Sequence, residues 1–238
     1  MTAVHARSRG TYGAPRIHAV LRREGTACGR RRIARLMRAA GLVGRHRRRR
    51  YRTTIPDPHA AMRPDLVLRD FRPDPAATDA RWCGDITYIP TDEGWLYLVT
   101  VIDIASRRVV GWATADHLRT ELVADALRTA CRRRRPAGSV IFHSDRGCQY
   151  TSREFVLFAA ELDIRLSVGR TGQCWDSALA ESFFATLKNE LFGGHSWPSR
   201  SVARTAVFEW IEGWYNVHRL HSSLGYRSPA DYEAVLAT

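Results

Sequence analysis

Three acidic residues stand where phosphodiester chemistry would need them. Asp85 lies inside a β-rich run, Asp145 directly follows another, and Glu181 falls in the first turns of a helical stretch whose preceding loop holds Gly169 and Gly172. Carboxylate oxygens are the hard ligands that Mg²⁺ prefers, and a few of them can hold two such ions about 3.5–4 Å apart. One ion then activates the attacking oxygen and the other stabilises the leaving one, in line. Taken singly, each acid has a plainer reading, because an Asp at a strand end often caps a turn and a helical Glu is usually solvated. Two further acids compete for a place: Asp103, which either faces the site or closes a turn before Ser106, and Asp176, which reads as an N-cap. His143, two residues before Asp145, reads equally as a positioning group or as a satisfied buried imidazole.

The elements that must carry these residues follow from periodicity. WCGDITYI, WLYLVTVIDI and RRVVGWAT are β-rich runs joined by short turns, as in an antiparallel meander. Thr120 is placed to cap a helix with Val123, Ala126, Leu127 and Ala130 on one face. A strand VIFH at 140–143, a helix from about Ser152, a strand IRLSV and a helix over 177–192 complete the pattern. Strands first, then alternation, predict an α/β layered sheet. Ser228-Pro229-Ala230-Asp231 predicts a capped closing helix that packs back on the core.

Ahead of this body, Pro15 with Ile17, Val20 and Leu21, then Ile33, Leu36 and Met37, predict two short helices ended by Gly25 and Gly41. Their outer faces are rich in Arg, which suggests a helix-turn-helix-like unit. Residues 1–64 hold seventeen Arg and two acids, a net +15, whereas the remaining residues carry −2. A positive arm on a near-neutral body is the layout of a nucleic-acid binder. The run Arg45, Arg47, Arg48, Arg49 and Arg50 suits phosphate contact. Five of the ten prolines fall in 51–80, which reads as a stiff linker. The expected division is 1–50 basic helical DNA-binding segment, 51–80 linker and 81–238 catalytic core with C-terminal helices.

Five cysteines, an odd number with no C-x-x-C pair, suggest neither a disulfide framework nor a zinc site. His218 and His221 have no Cys partners at zinc-module spacing. No apolar run approaches the ~18 residues of a membrane span, and no secretory signal opens the chain. The expected place is the bacterial cytoplasm, at the nucleoid, with no membrane partner.

The words around the acids add a resemblance. YGAPRIHAVLRREG and RRIARLMRAAGL (within 12–42), WCGDITYI, VTVIDIASRRVVGW, HSDRGCQYTS, GQCWDSALAESFFATLKNEL and YNVHRLHSSLGYRSPADYE together resemble the catalytic OrfB proteins of the IS-three family of insertion sequences, relatives of retroviral integrases. Thirty-five residues separate Asp145 from Glu181, the spacing of that group. The resemblance implies a ribonuclease-H-like mixed sheet flanked by helices, and Asp85, Asp145 and Glu181 as the metal-binding catalytic triad. It implies two Mg²⁺ ions, with Mn²⁺ able to substitute, and strand cleavage and transfer at the element's terminal inverted repeats and in target DNA. It also implies an upstream OrfA-type partner or frameshift fusion, and a homo-oligomer on DNA.

Lys188, the only lysine, lies seven residues after Glu181 and so on nearly the same helix face, with Leu179, Phe183 and Leu187 opposite. It is assigned to the DNA phosphate beside the scissile bond, and Gln149 and Tyr150 to the DNA end. Departures are Ser177, where the family usually has Asn, and the few residues before Arg9-Gly10-Thr11-Tyr12-Gly13. They keep a truncated non-catalytic DNA-binding regulator as the alternative, beside a retroviral-type integrase or a plain ribonuclease H.

Overall fold

The computed structural model describes residues 1–45, 64–67, 70–168, 178–192 and 196–236. Arg47 to Arg50, Gly169, Gly172, Asp176 and Ser177 lie outside the described residues. β1 (Arg81–Thr91), β2 (Gly94–Asp103) and β3 (Val109–Ala115) form the expected meander, rich in the Val, Ile, Thr and aromatic residues that suit a pleated surface. β4 (Val140–Ser144) and β5 (Ile164–Val168) extend the sheet on the other side of β1, giving the order β3-β2-β1-β4-β5. β1–β2 and β2–β3 are antiparallel, β1–β4 and β4–β5 parallel.

Each face of the sheet is covered. On one, α4 (Thr120–Arg134) and α6 (Arg153–Glu161) pack over Trp82, Val99, Val101 and Phe142. Gly111 lets α4 approach β3 so closely that a Cβ there would stand 2.3 Å from the Ala126 carbonyl oxygen. Gly84 leaves the same kind of room for the Phe142 ring. The expected cap of α4 is corrected: the N-cap is Arg119, and Thr120, already helical, meets the Ser152 hydroxyl instead. Ser152 caps α6 by accepting from the Phe155 N–H, and the one-turn α5 (Cys148–Thr151) runs into it.

The other face carries α7 (Ala178–Leu187) and α8 (Arg200–Trp210), and α9 (Pro229–Leu236) follows as the last described helix. The helix expected over 177–192 changes pitch at Lys188 and continues to Phe192 as a π-helical turn. In that turn Glu190 points inward to Arg219, a pair whose side chains are each only 6% exposed. Ser228 caps α9 through the Asp231 N–H, and Glu233 pairs with Arg108 and Arg134.

The N-terminal unit has three helices rather than two: α1 (Thr2–Arg7), α2 (Ala14–Arg23) and α3 (Arg30–Ala39). Gly25 and Gly41 sit at φ +80° and +63° where their helices end, a conformation that costs glycine little. The unit is not a free arm. Val4, Tyr12, Ile17, Ile33 and Met37 belong to one continuous apolar core with Trp214 and Leu220. The Tyr12 hydroxyl donates to the His218 carbonyl and accepts from the Leu220 N–H. The described part of the Pro-rich stretch is likewise fastened down. Leu66 N–H donates to Ser167, Val67 is 2% exposed, and Asp79 pairs with Arg134.

Candidate active site

The parallel pairing of β1 with β4 aligns Cys83 with His143. Asp85 lies two residues further along β1, on the same face as Cys83, and Asp145 follows one residue past the end of β4. Leu179 and Ala180, at the start of α7, line a narrow space against Cys83, Gly84, His143 and Ser144. Glu181 is the next residue. Asp85 from within β1, Asp145 just past the end of β4 and Glu181 from the first turn of α7 therefore approach one another on the same side of the sheet.

The electrostatics record the convergence. Burial pushes the Asp85 carboxyl up to about 7, reinforced by the nearby Asp145 and Glu181 carboxylates. The Ile86 N–H, which donates to Asp85 Oδ1 at 2.8 Å, and the Lys188 ammonium pull the other way. Asp145 is exposed, and its Oδ1 accepts from the Gly147 N–H at 2.9 Å. Lys188 Nζ also sits 5.0 Å from the centre of the exposed Tyr88 ring. Directly across β2 from Asp85 is Thr100, fully buried, with a hydroxyl that has no hydrogen-bond partner among the described residues.

Other expectations sort themselves by burial. Asp103 closes its turn: its carboxylate accepts from the Ser106 N–H and hydroxyl and from the Asp79 N–H, away from the site. His143 is a buried imidazole whose Nδ1 meets the Ser167 hydroxyl at 2.9 Å. Tyr150 is 1% exposed, with Phe142 and Phe155 against its ring, and belongs to the core. The exposed Arg45 guanidinium donates to the Asn189 and Glu190 carbonyls and so ties the N-terminal unit to the π-helical turn. Gln149 is half-buried and donates to the Leu118 carbonyl. On α7, Phe183 and Leu187 are buried as expected, whereas Leu179 is only partly so.

Comparison with known proteins identifies the class first. Residues 75–174 and 162–229 match two integrase core domain families, and residues 1–50 match an HTH-like domain family. The fold resembles a chain of the simian T-cell lymphotropic virus intasome (TM-score 0.55, 16% identity, 93% of this chain and 74% of that one). It also resembles the HTLV-2 integrase catalytic core domain, solved with magnesium (TM-score 0.50, 16% identity, 66% and 97% covered). The fold is thus the ribonuclease-H-like mixed sheet of the integrases. The chain is 37% identical over 231 residues to the transposase for insertion sequence element IS904 of Lactococcus lactis, covering 97% of this chain and 90% of that protein. It is 38% identical to transposase InsF for insertion sequence IS3A of Escherichia coli, covering 97% and 80%. The chain belongs to the IS3 family of insertion-sequence transposases.

Proposed function

We propose that this transposase is a DDE-type polynucleotidyl transferase in which Asp85, Asp145 and Glu181 hold two Mg²⁺ ions, with Mn²⁺ able to substitute. The observation that carries the reading is the convergence of Asp145, Glu181 and Lys188 on the half-buried Asp85. Among the described residues no three His, Cys, Asp or Glu side chains close around a single point. The donor chemistry nonetheless fits a hydrated divalent ion. The oxygens are hard, the carboxylates repel one another when ionised, and the Thr100 hydroxyl beside Asp85 has no partner among the described residues. Bound there, the ions would supply the charge that activates an attacking water or 3′-hydroxyl and stabilises the leaving oxygen.

The residues divide the work. Asp85 is held within β1 and Asp145 just past the end of β4, while Glu181 approaches from a separate helix. Lys188, on the same side of α7, meets the phosphate next to the scissile bond as a mobile point charge. Gln149 contacts the DNA end. α3 shows solvent a fan of Arg30, Arg31, Arg32, Arg35 and Arg38, which suits backbone phosphates. Arg47 to Arg50 add further positive charge to the same segment of the sequence. The division is 1–50 for DNA binding, 51–80 as connection and 81–238 as catalytic core. The protein acts in the cytoplasm at the nucleoid, on terminal inverted repeats and target DNA. It does so as a homo-oligomer, with an OrfA-type partner or frameshift fusion supplying end recognition.

A strand-transfer assay on labelled terminal-repeat duplexes, with and without Mg²⁺, tests this. Glu181→Gln keeps size and removes a ligand charge, so joining should fall by about two to three orders of magnitude while DNA binding survives. Near wild-type joining by that variant would remove the triad assignment. A wild-type protein that binds ends but never joins them would point to the non-catalytic regulator.

A further inference from the structure

Behind α7, on the side turned about 150° from Glu181 at 100° per residue, lies a cavity of about 370 Å³. Three arginines from distant parts of the chain line it: Arg16 on α2, Arg107 in the turn between β2 and β3, and Arg219 in the C-terminal segment. Arg219 is spent on Glu190 at 3.0 Å. Arg16 Nε donates to the Leu220 carbonyl at 3.0 Å and Arg107 Nη2 to the Phe71 carbonyl at 2.5 Å. Each of those two bonds uses one of five guanidinium N–H donors and cancels no charge. Among the described residues neither Arg16 nor Arg107 forms an ion pair.

The Arg16 guanidinium also lies over the Tyr12 ring, 5.4 Å from its centre, a contact that leaves its charge in place. Arg107 stands at φ +65°, in a hairpin position that glycine or asparagine fills more readily. Burial lowers the affinity of both Arg16 and Arg107 for their protons. His221, on the same wall, is held well below its ordinary value, first by burial and then by Arg219, Arg16 and Arg107. Three guanidinium groups are thus crowded into a half-enclosed space where Glu190, already paired with Arg219, and Asp103 offset their charge only in part, which is costly without a further anion. Hydroxyls from Ser182 on α7 and Ser222 on the rim add donors of the kind that accompany guanidinium groups around a phosphate, whereas the Thr186 hydroxyl donates to the Ser182 carbonyl.

We propose that this cavity is a binding site for a phosphoryl group, held by Arg16 and Arg107 and bridging the N-terminal unit, the catalytic sheet and the C-terminal segment. Two sources share that chemistry, a phosphate of bound DNA and a free phosphate or nucleotide. The site does not depend on the triad assignment, since its test involves no catalysis.

The full-length protein is melted in sodium chloride and in sodium phosphate at matched pH and ionic strength. Phosphate several-fold above its Kd should raise the melting temperature by about 3 °C, and Arg107→Gln should erase that rise. Ser222→Asp, at an exposed rim position, supplies an internal anion. It should raise the melting temperature in chloride and remove the response to phosphate, which decides the matter if Arg107→Gln folds poorly. The source is read from binding to a duplex of about 20 base pairs. If DNA supplies the phosphate, Arg107→Gln lowers the slope of log K against log salt by about 0.9. If a free phosphate does, the slope stays unchanged while the thermal response is lost. A wild-type protein no more stable in phosphate than in chloride, together with a destabilised Ser222→Asp, would overturn the proposal.

Discussion

Asp85 combines burial with two like-charged neighbours, so the protein without metal carries a stability cost that depends on pH. Its carboxyl titrates near 7 in the folded state, against about 3.9 in an unfolded chain. The folded form therefore holds the proton more tightly. On this group's account, stability is greatest below pH about 4 and falls as pH rises toward 7. Asp85→Asn removes the ionisation, so at pH 8 without divalent ions it should be more stable than wild type by about 1–2 kcal/mol, allowing for solvent screening of a half-buried group. Mg²⁺ should stabilise wild type and leave the variant unmoved. Denaturant melts with and without Mg²⁺ check both statements, and an Asp85→Asn protein weaker than wild type at pH 8 would contradict them. At Lys188, reversal of charge is expected to lower strand transfer further than Lys188→Ala does, with little change in melting temperature. Unchanged end-joining by Lys188→Glu at moderate salt would reduce this residue to a solvated charge.

Among the elements, the seating of α4 on β3 turns on one missing methyl group. A Cβ at Gly111 would meet the Ala126 carbonyl oxygen at 2.3 Å and the Ala130 nitrogen at 2.6 Å, both main-chain atoms that move only with the helix. Gly111→Ala should cost about 1–3 kcal/mol by overpacking, seen as a lower urea midpoint. Because β2 separates β3 from β1, activity per folded molecule should change less than stability. Tyr12, just ahead of α2, joins the N-terminal unit to the C-terminal segment through a hydroxyl that both donates and accepts. Tyr12→Phe would leave the buried Leu220 N–H without its acceptor, a loss of about 1–3 kcal/mol. Equal stability of the Phe variant and wild type would show that water replaces the hydroxyl.

The whole molecule treats its basic N-terminus as part of one core, which changes how the DNA-binding reading has to be tested. Deleting residues 1–45 would uncover Trp214 and Leu220, so the truncated protein is expected to lose cooperative unfolding as well as charge. Surface substitution separates the two effects. Arg31, Arg35 and Arg38 are exposed on α3, and glutamine there leaves Ile33 and Met37 in place. The triple variant should melt like wild type. For every phosphate that these arginines neutralise, the salt dependence of duplex binding should flatten by about 0.9 in the variant. An unchanged slope and affinity would leave the α3 arginines as a solvated face.

Much of this protein was legible along the chain because its signals are local. Alternation marks the strands, Pro15, Gly25 and Gly41 bracket the helices of the N-terminal unit, Ser152 and Ser228 cap their helices, and the motifs around Asp85, Asp145 and Glu181 carry the family resemblance. Six-residue α1, without a side-chain cap, gives too little period to read. The rest depended on which surfaces meet. Tyr150 sits in a motif beside a catalytic candidate, yet its ring is swallowed between Phe142 and Phe155, because direction across the sheet is set by packing and not by sequence neighbourhood. Arg45 reads as one more cation in a basic run until the fold brings two carbonyls of the π-helical turn to it. Glu190 and Arg219, Arg16 and Arg107, Thr100 and Asp85 become neighbours only when the sheet closes against its helices. Spacing and side-chain type determined the elements and nominated the acids. Tertiary packing decided which polar groups are buried together, because burial makes charge expensive and so decides which of them must find a partner.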